Sequence, residues 1–201
     1  MARENEAVFN ASEDYVLAEK AAGGDRAAFE KIVRKYEKFV CTTVYSVLRN
    51  TEDSFDVSQE VFLKLYHSIG SFKGESSFSS WLYRIAKNAA LDFLRKDKSG
   101  RNVSLTAENS DGSEKVIDIT DESDSSSPEK MLERQERRKI LYDAIDELNE
   151  EHREIITLRD INEYTYEEVG SMLGLEIGTV KSRLFRAREA LRKILKEKNY
   201  F

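Results

Sequence analysis

Residues 164–195 read YTYEEVGSMLGLEIGTVKSRLFRAREALRKIL, and two helical patterns flank a short turn within them. Thr165 followed by Glu168 is a capping box, so a helix is expected to begin there and to end before Gly174. After the turn, apolar residues recur at steps of four and three, and lysine and arginine cover the other faces. A short helix, a glycine-containing turn and a longer basic helix are the parts of a helix-turn-helix, which predicts DNA binding. An αα-hairpin with a solvated charged face is the alternative interpretation of this pattern.

The composition is that of a helical protein whose charge is unevenly distributed. The chain has 201 residues, of which 40% are hydrophobic and 35% are charged, with nine Gly and one Pro. So few turn-forming residues favour an all-α fold, and this length suffices for one or two domains. The formal net charge of −6 argues against a protein that coats nucleic acid indiscriminately. The basic last helix is therefore a local feature, and this favours the DNA-binding interpretation.

Several classes of protein find no support in the sequence. Cys41 is the only cysteine, so no intramolecular disulfide can form, which is typical of a reducing compartment. His67 and His152 have no partner at metal-ligand spacing, so no metal is predicted. No nucleophile–base constellation or phosphate-binding glycine loop indicates an enzyme or a cofactor. Because neither a signal peptide nor a membrane-spanning segment is apparent, we expect a cytoplasmic protein without membrane insertion.

Apolar periodicity predicts the organisation of the rest of the chain. Six helices are expected before the helix-turn-helix, over about residues 12–21, 25–50, 53–68, 77–98, 128–148 and 152–161, and Ser12, Asp25 and Ser77 are predicted to cap the first, second and fourth. The second helix is predicted to bury an apolar stripe of Phe29, Ile32, Val33, Tyr36, Val40, Val44 and Val47. Residues 102–127 are rich in Ser, Asp, Glu and Asn, so they are predicted to be a linker too polar to bury a core. The sequence therefore predicts an all-α protein with two helical domains, 12–101 and 128–198, joined by a flexible acidic linker.

Four stretches of the chain follow one another in a distinctive order and spacing: GDRAAFEKIVRKY, DVSQEVFLKLYHSIGSFKGESSFSSWLYRIAKNAALDFLRK, LNEEHREIITLRDINEYTYEEVGSML and GTVKSRLFRAREALR. Together they resemble the extracytoplasmic-function sigma factors of bacterial RNA polymerase. The resemblance covers nearly everything from Tyr15 to Leu195 except the linker. It implies an alternative sigma factor, a dissociable subunit that binds core RNA polymerase and directs promoter-specific transcription initiation.

The resemblance implies different partners for the two domains. Region two, here residues 12–101, would bind the clamp helices of the largest polymerase subunit and would recognise and melt the minus-ten element of promoter DNA. Region four, here residues 128–198, would read the minus-thirty-five element and contact the flap of the second-largest subunit. Many members of the family are held inactive by an anti-sigma factor, so such a partner is expected as a separate protein.

Site residues are carried over only where this sequence matches the family's motifs. The polymerase-binding DxxQE signature corresponds to Asp56, Gln59 and Glu60. The surface for the minus-ten element corresponds to Phe72, Lys73, Gly74, Ser76, Ser77, Trp81, Arg84 and Asn88. The recognition helix for the minus-thirty-five element corresponds to Thr179, Lys181, Ser182, Arg183 and Arg186.

Elementary chemistry is consistent with these surfaces and leaves some roles open. The polar and acidic signature suits a basic partner helix, although an ordinary solvated face has the same pattern. A base flipped out of DNA needs aromatic rings on which to stack, and Trp81 could supply one, but it is equally consistent with a core position. Phe78 is likewise consistent with a side chain that anchors the start of its helix to the core. Arg84 and Lys87 can hold phosphates, whereas Arg188 is expected to meet phosphates or polymerase. Arg and Lys at the start of the recognition helix can pair with guanine edges.

Two positions depart from the family pattern. Asn149 stands where proline is common, and Gly170 stands where alanine is usual. Neither threatens the fold, although Gly170 is expected to cost its helix about 1 kcal/mol relative to alanine.

A second class of function remains open from the sequence. A helix-turn-helix regulator that does not bind core polymerase would normally dimerise on a palindrome. No sustained heptads supply a dimerisation seam, and residues 53–98 would then have no role. If the chain is a sigma factor, its net negative charge predicts that the free protein binds DNA poorly until core polymerase separates the two domains.

Overall fold

The computed structural model describes residues 13–101 and 128–198. Its helices are α1 (Glu13–Ala22), α2 (Arg26–Leu48), α3 (Thr51–Ser68), α4 (Phe78–Arg101), α5 (Pro128–Asp146), α6 (Glu150–Ile156), α7 (Tyr166–Leu173) and α8 (Ile177–Glu197). A 3₁₀ turn over Ile69–Ser71 follows α3, and a π-helical turn over Thr157–Ile161 follows α6. The described ranges contain no strand, and the predicted all-α fold with two domains is confirmed. The predicted linker and the Ser12 cap lie outside the described residues.

The N-terminal domain, α1 to α4, is built by local signals that the sequence displays. Asp25 caps α2, because its carboxylate accepts hydrogen bonds from the backbone N–H groups of Ala27 (2.9 Å) and Ala28 (3.1 Å). Asn50 caps α3 through the N–H of Asp53 at 3.0 Å, so this helix begins slightly earlier than the predicted residue 53. The predicted stripe of α2 faces inward, with four of its members fully buried: Ile32, Tyr36, Val40 and Val44.

The C-terminal domain, α5 to α8, contains the helix-turn-helix in α7 and α8. The Thr165 hydroxyl accepts from the Glu168 N–H, and the Glu168 carboxylate accepts from the Thr165 N–H, so the predicted capping box is present. Gly174 ends α7 with φ of 67°, a left-handed conformation that favours glycine. Helix α8 begins at Ile177, inside the turn that the sequence predicts over residues 175–178. Its predicted apolar seam packs inward, with Val180, Leu184 and Ala187 buried.

The two departures from the family pattern have structural reasons. Asn149 caps α6, because its side-chain oxygen accepts from the His152 N–H at 2.9 Å. At Gly170, an added Cβ would lie 2.7 Å from the backbone oxygen of Leu175. Glycine therefore permits a close approach between α7 and the following turn, which helix propensity alone does not capture. The turn would have to move by several tenths of an ångström to admit alanine.

The two domains pack against each other. Helix α6 and the π-helical turn lie on α2, and α7 lies on α4, so the buried side chains form one continuous cluster. One charged residue, Arg153, is buried within this contact, only 4% exposed. Its guanidinium donates to four backbone oxygens, those of Ile145, Asp146, Leu148 and, across the domain boundary, Ser46. Arg153 thus satisfies carbonyls at the C-terminal ends of α5 and α2.

Candidate nucleic-acid and polymerase interfaces

The aromatic residues of the predicted minus-ten surface form one cluster between the loop after the 3₁₀ turn and the start of α4. The Phe72 ring lies 5.2 Å from Trp81 and 5.3 Å from Phe78, and the Trp81 and Phe78 centroids are 5.7 Å apart. Phe78 is fully buried against Tyr36, so it is a staple to the core. Phe72 and Trp81 are half-buried. Each therefore has one part held by the core and another part open to a stacking partner.

Polar groups surround this aromatic cluster. Ser77 caps α4 through the Ser80 N–H at 3.1 Å, as the sequence predicts. Gly74 is buried with φ of 72°, so the loop turns through a conformation that favours glycine. Arg84 donates to the Ser76 hydroxyl at 3.1 Å, which joins the helix to the loop. The exposed members of this surface are Lys73, Arg84 and Asn88, and Ser76 and Ser77 are half-buried.

The predicted polymerase-binding residues lie on the solvent side of α3. Asp56, Gln59 and Glu60 are exposed, and the opposite side of the helix supplies the core. The same solvent side carries two large apolar side chains that were not among the predicted site residues: Phe55 is 60% exposed and Leu63 is 62% exposed. Their spacing places them one turn on either side of Gln59. An apolar strip flanked by carboxylates is a typical protein-binding surface.

The predicted recognition residues begin α8. Thr179, Lys181, Ser182 and Arg186 are exposed, whereas Arg183 is half-buried and pairs with Glu151 of α6 at 3.5 Å. The Lys181 ammonium lies 5.5 Å from the centre of the Tyr166 ring on α7, a cation–π contact that orients the lysine side chain.

Phe185 projects from the same stretch of α8 and is 67% exposed. Phe185 was not among the predicted site residues, although its position one turn beyond Lys181, off the apolar seam, is a signal that could have identified it. A phenylalanine among arginines can contact a thymine methyl group in the major groove.

Comparison with known proteins identifies the family. The family model for Sigma-70 region 2 matches residues 32–100, and that for Sigma-70, region 4 matches residues 138–191. The ECF RNA polymerase sigma-E factor of Escherichia coli is 37% identical over 182 residues, which cover 89% of this chain and 92% of that protein. The chain belongs to the extracytoplasmic-function sigma factors.

Further comparisons agree with this assignment. The RNA polymerase sigma-H factor of Pseudomonas aeruginosa is 34% identical over 187 residues, or 91% of this chain and 94% of that factor. The structure of CnrH in complex with the cytosolic domain of CnrY superposes with a TM-score of 0.63 at 25% identity and covers 92% of this chain and 99% of CnrH. The sigma factor RpoE of Bartonella quintana, solved with the anti-sigma factor NepR, has the same fold, with a TM-score of 0.62 at 23% identity. This superposition covers 84% of this chain and 96% of that one.

The protein is thus an alternative sigma factor that directs promoter recognition, and a regulator that does not bind core polymerase is not favoured. Sigma factors are non-enzymatic transcription initiation factors. Within the described residues, no group of His, Cys, Asp or Glu could hold a metal ion. None of the helices described here is long and apolar enough to cross a membrane.

Lys87 and Arg188, for which contacts with phosphates or polymerase are expected, are both paired with carboxylates within the chain. Lys87, expected to hold phosphate, pairs with Glu154 of the C-terminal domain. Arg188 makes two hydrogen bonds to the carboxylate of Asp160, at 3.0 and 2.5 Å, and these bonds raise the pKa of the guanidinium. These pairings involve residues far apart in sequence, so composition and periodicity gave no signal for them.

Proposed function

We propose that this sigma factor works through three surfaces on two domains, with region two over residues 12–101, a connection over 102–127 and region four over 128–198. The single observation that carries the proposal is that three chemically distinct faces are open to solvent in the described part of the chain. These are the acidic and apolar side of α3, the aromatic and basic side of the loop and α4, and the basic start of α8. The chain catalyses no reaction itself and acts in the cytoplasm on RNA polymerase.

Core polymerase binds the solvent side of α3 in this proposal. The carboxylates of Asp56 and Glu60, with Gln59 between them, meet the basic clamp helices of the largest subunit. Phe55 and Leu63 add apolar area at the centre of the contact, where desolvated side chains contribute most of the binding free energy.

The minus-ten element binds the loop and α4. Half-buried rings are already ordered, so Phe72 and Trp81 can stack on an unpaired base with little further loss of side-chain freedom. Arg84, joined to the loop by the Ser76 hydroxyl, holds the backbone phosphates, and Asn88 lies one turn further along the same exposed side. The other members of this surface are Lys73, Gly74 and Ser77.

The minus-thirty-five element binds the start of α8 in the major groove. Lys181 and Arg186 are exposed and carry the donors that read guanine edges, while Thr179 and Ser182 approach the DNA at the first turns. Arg183 is held by Glu151, so its contribution is expected to be smaller than that of Arg186. The far side of region four meets the flap of the second-largest subunit.

A separate anti-sigma factor is the proposed inhibitor. The support is that CnrH was solved with the cytosolic domain of CnrY and the Bartonella factor with the anti-sigma factor NepR. Co-purification of a tagged chain from its native host tests this proposal. A co-purified protein that blocks transcription by the pure components is the expected result.

The main test is run-off transcription on a library of promoter fragments with purified core polymerase, with and without this protein. Initiation that requires the protein, and that falls sharply in Trp81→Ala and Arg186→Ala, is the expected result. Arg34→Ala is the matched control, because Arg34 is an exposed arginine outside all three surfaces and pairs only with Glu30 in its own helix. Sequence-specific DNA binding without a stable complex with core polymerase would contradict the proposal.

A further inference from the structure

The ring of Tyr166 joins three segments of region four. Tyr166 is the first residue of α7 and is half-buried. The guanidinium of Arg159, in the π-helical turn, lies 5.0 Å from the centre of this ring, and the ammonium of Lys181, at the start of α8, lies 5.5 Å from it. A cation within about 6 Å of the face of an aromatic ring is attracted by the electrons of the ring. One tyrosine therefore orients two cations that come from different elements.

These two cations have no carboxylate partner. Other basic side chains of α8 pair with acids, and Arg188 takes both oxygens of Asp160, the residue that follows Arg159. Among the described residues, neither Arg159 nor Lys181 forms an ion pair, and the Nε of Arg159 is buried without a hydrogen-bond acceptor. Contact with the Tyr166 ring thus takes the place of a carboxylate in holding both side chains.

A ring and a carboxylate affect a cation differently. A carboxylate orients a lysine or arginine but neutralises its charge and occupies its N–H donors, as Asp160 does for Arg188. An aromatic face attracts the same charge and leaves those donors available for oxygen acceptors on DNA. Long side chains also lose rotamer freedom when they bind, and a contact that orders them beforehand removes part of that cost.

We propose that Tyr166 is a positioning residue for recognition of the minus-thirty-five element. It holds Lys181 in the direction of the base edges and Arg159 in the direction of the adjacent DNA backbone, so that both cations meet the DNA already ordered and with their donors free. Neither Arg159 nor Tyr166 was among the predicted site residues. This inference rests on the proposed function of the start of α8, because Tyr166 acts on DNA through Lys181 and Arg159.

Two substitutions of Tyr166 separate the ring from the rest of the side chain. Tyr166→Leu keeps an apolar side chain and removes the ring, so both cations lose their support. Tyr166→Phe keeps the ring and removes only the hydroxyl, so it should behave like the unsubstituted protein. Tyr142→Leu is the matched control, because Tyr142 is a half-buried tyrosine of the same domain whose ring packs on Tyr45. Circular dichroism establishes that each variant is folded.

The measurements use the holoenzyme, formed from the full-length chain and core polymerase, on the promoter that run-off transcription identifies. Fluorescence anisotropy gives the affinity for that promoter and for fragments in which each base pair of the minus-thirty-five element is replaced in turn. Ordering one long side chain on binding weakens affinity by roughly two- to tenfold, so Tyr166→Leu, which frees two, should weaken promoter binding by about tenfold. This variant should also lose discrimination at the base pair where Lys181→Met loses it.

A purely structural role of Tyr166 would not depend on the two cations, whereas a positioning role does. In a chain that already carries Lys181→Met and Arg159→Met, Tyr166→Leu should therefore change promoter affinity by about twofold at most. Arg159→Met alone should reduce the slope of log affinity against log salt concentration by about 0.9 and leave base discrimination unchanged, because phosphate contacts carry no sequence information.

The outcomes distinguish this inference from the proposed function. Unchanged affinity and discrimination in Tyr166→Leu overturn the inference, and so does an equal loss in Tyr166→Phe, since the ring would then not be the group that matters. An undiminished effect of Tyr166→Leu in the chain without the two cations, or an unchanged salt slope in Arg159→Met, also overturns it. If Lys181→Met alters discrimination and Tyr166→Leu does not, only this inference fails. If neither Lys181→Met nor Arg186→Ala alters discrimination, the proposed function of α8 fails, and the inference fails with it.

Discussion

Replacement of the buried Arg153 by methionine is the sharpest test of how this structure is held together. Methionine has a similar length and can fill the space, but it donates no hydrogen bond. The change removes the donors to Ser46 (3.1 Å), Ile145 (3.4 Å), Asp146 (3.2 Å) and Leu148 (2.5 Å).

The expected loss of stability depends on which hydrogen bonds the four backbone oxygens keep after the substitution. Arg49 still donates to the Asp146 oxygen at 2.6 Å, and the Leu148 N–H still reaches the Ile145 oxygen at 3.1 Å. The Leu148 oxygen keeps only the long hydrogen bond from Arg49 at 3.5 Å, and the Ser46 oxygen loses the Arg153 donor. A buried acceptor without a partner costs about 1–3 kcal/mol. Removing the guanidinium also removes its own desolvation cost, so we expect a net loss of about 2–4 kcal/mol in the free energy of unfolding.

Urea unfolding with two probes measures this loss and locates it. Trp81 is the only tryptophan, so its fluorescence reports region two, whereas far-ultraviolet circular dichroism reports helices of both domains. Three of the four hydrogen bonds lie within region four, so the circular dichroism transition should move to lower urea and precede the fluorescence transition. Arg49→Met is the control, because the Arg49 side chain is exposed and its loss should cost less.

A loss below about 1 kcal/mol in Arg153→Met would refute the reasoning, since it would mean that water satisfies these carbonyls and that the buried arginine contributes little. Transitions that stay coincident at a lower urea concentration would show instead that Arg153 stabilises both domains as one unit.

Three further predictions follow from single positions. Gly170→Ala should not raise the melting temperature, because the added Cβ clashes with the Leu175 oxygen. This clash costs about 1–3 kcal/mol, which outweighs the gain of about 1 kcal/mol in helix propensity. A higher melting temperature would contradict this. Stability should fall as pH rises above 10.0, where tyrosines of the unfolded chain ionise while the raised pKa of Tyr83 keeps the folded one protonated. Tyr83→Phe should lessen that fall in thermal unfolding curves, and an identical fall would exclude this source. Phe55→Lys and Leu63→Lys should abolish co-elution with core polymerase at an unchanged melting temperature, because both side chains are exposed.

The sequence predicted well those features that depend on neighbours along the chain. Helix caps are local hydrogen bonds between residues two or three positions apart, so Asp25, Ser77 and the capping box at Thr165 could be identified from spacing alone. Apolar seams are equally local, because helical periodicity determines which side chains share a face. The α2 stripe and the α8 seam were both predicted in this way.

The candidate surfaces could be predicted only in part. The family motif indicated Asp56, Gln59 and Glu60 but gave no sign that Phe55 and Leu63 stand open beside them. Their exposure depends on which side of α3 the rest of the domain covers, and this is a property of packing.

The sequence by itself thus determined the helices, their order and the family, because caps, periodicity and motifs each occupy a short stretch of the chain. The position of each surface stays a prediction. Only the tertiary structure decided which charges are free. Glu154 and Lys87 are 67 residues apart, and Arg153 and Ser46 are 107 apart. Whether such groups meet depends on how two domains are oriented in space, and no local pattern records that orientation. The structure therefore adds the contacts between two domains to a protein whose class the sequence had already established.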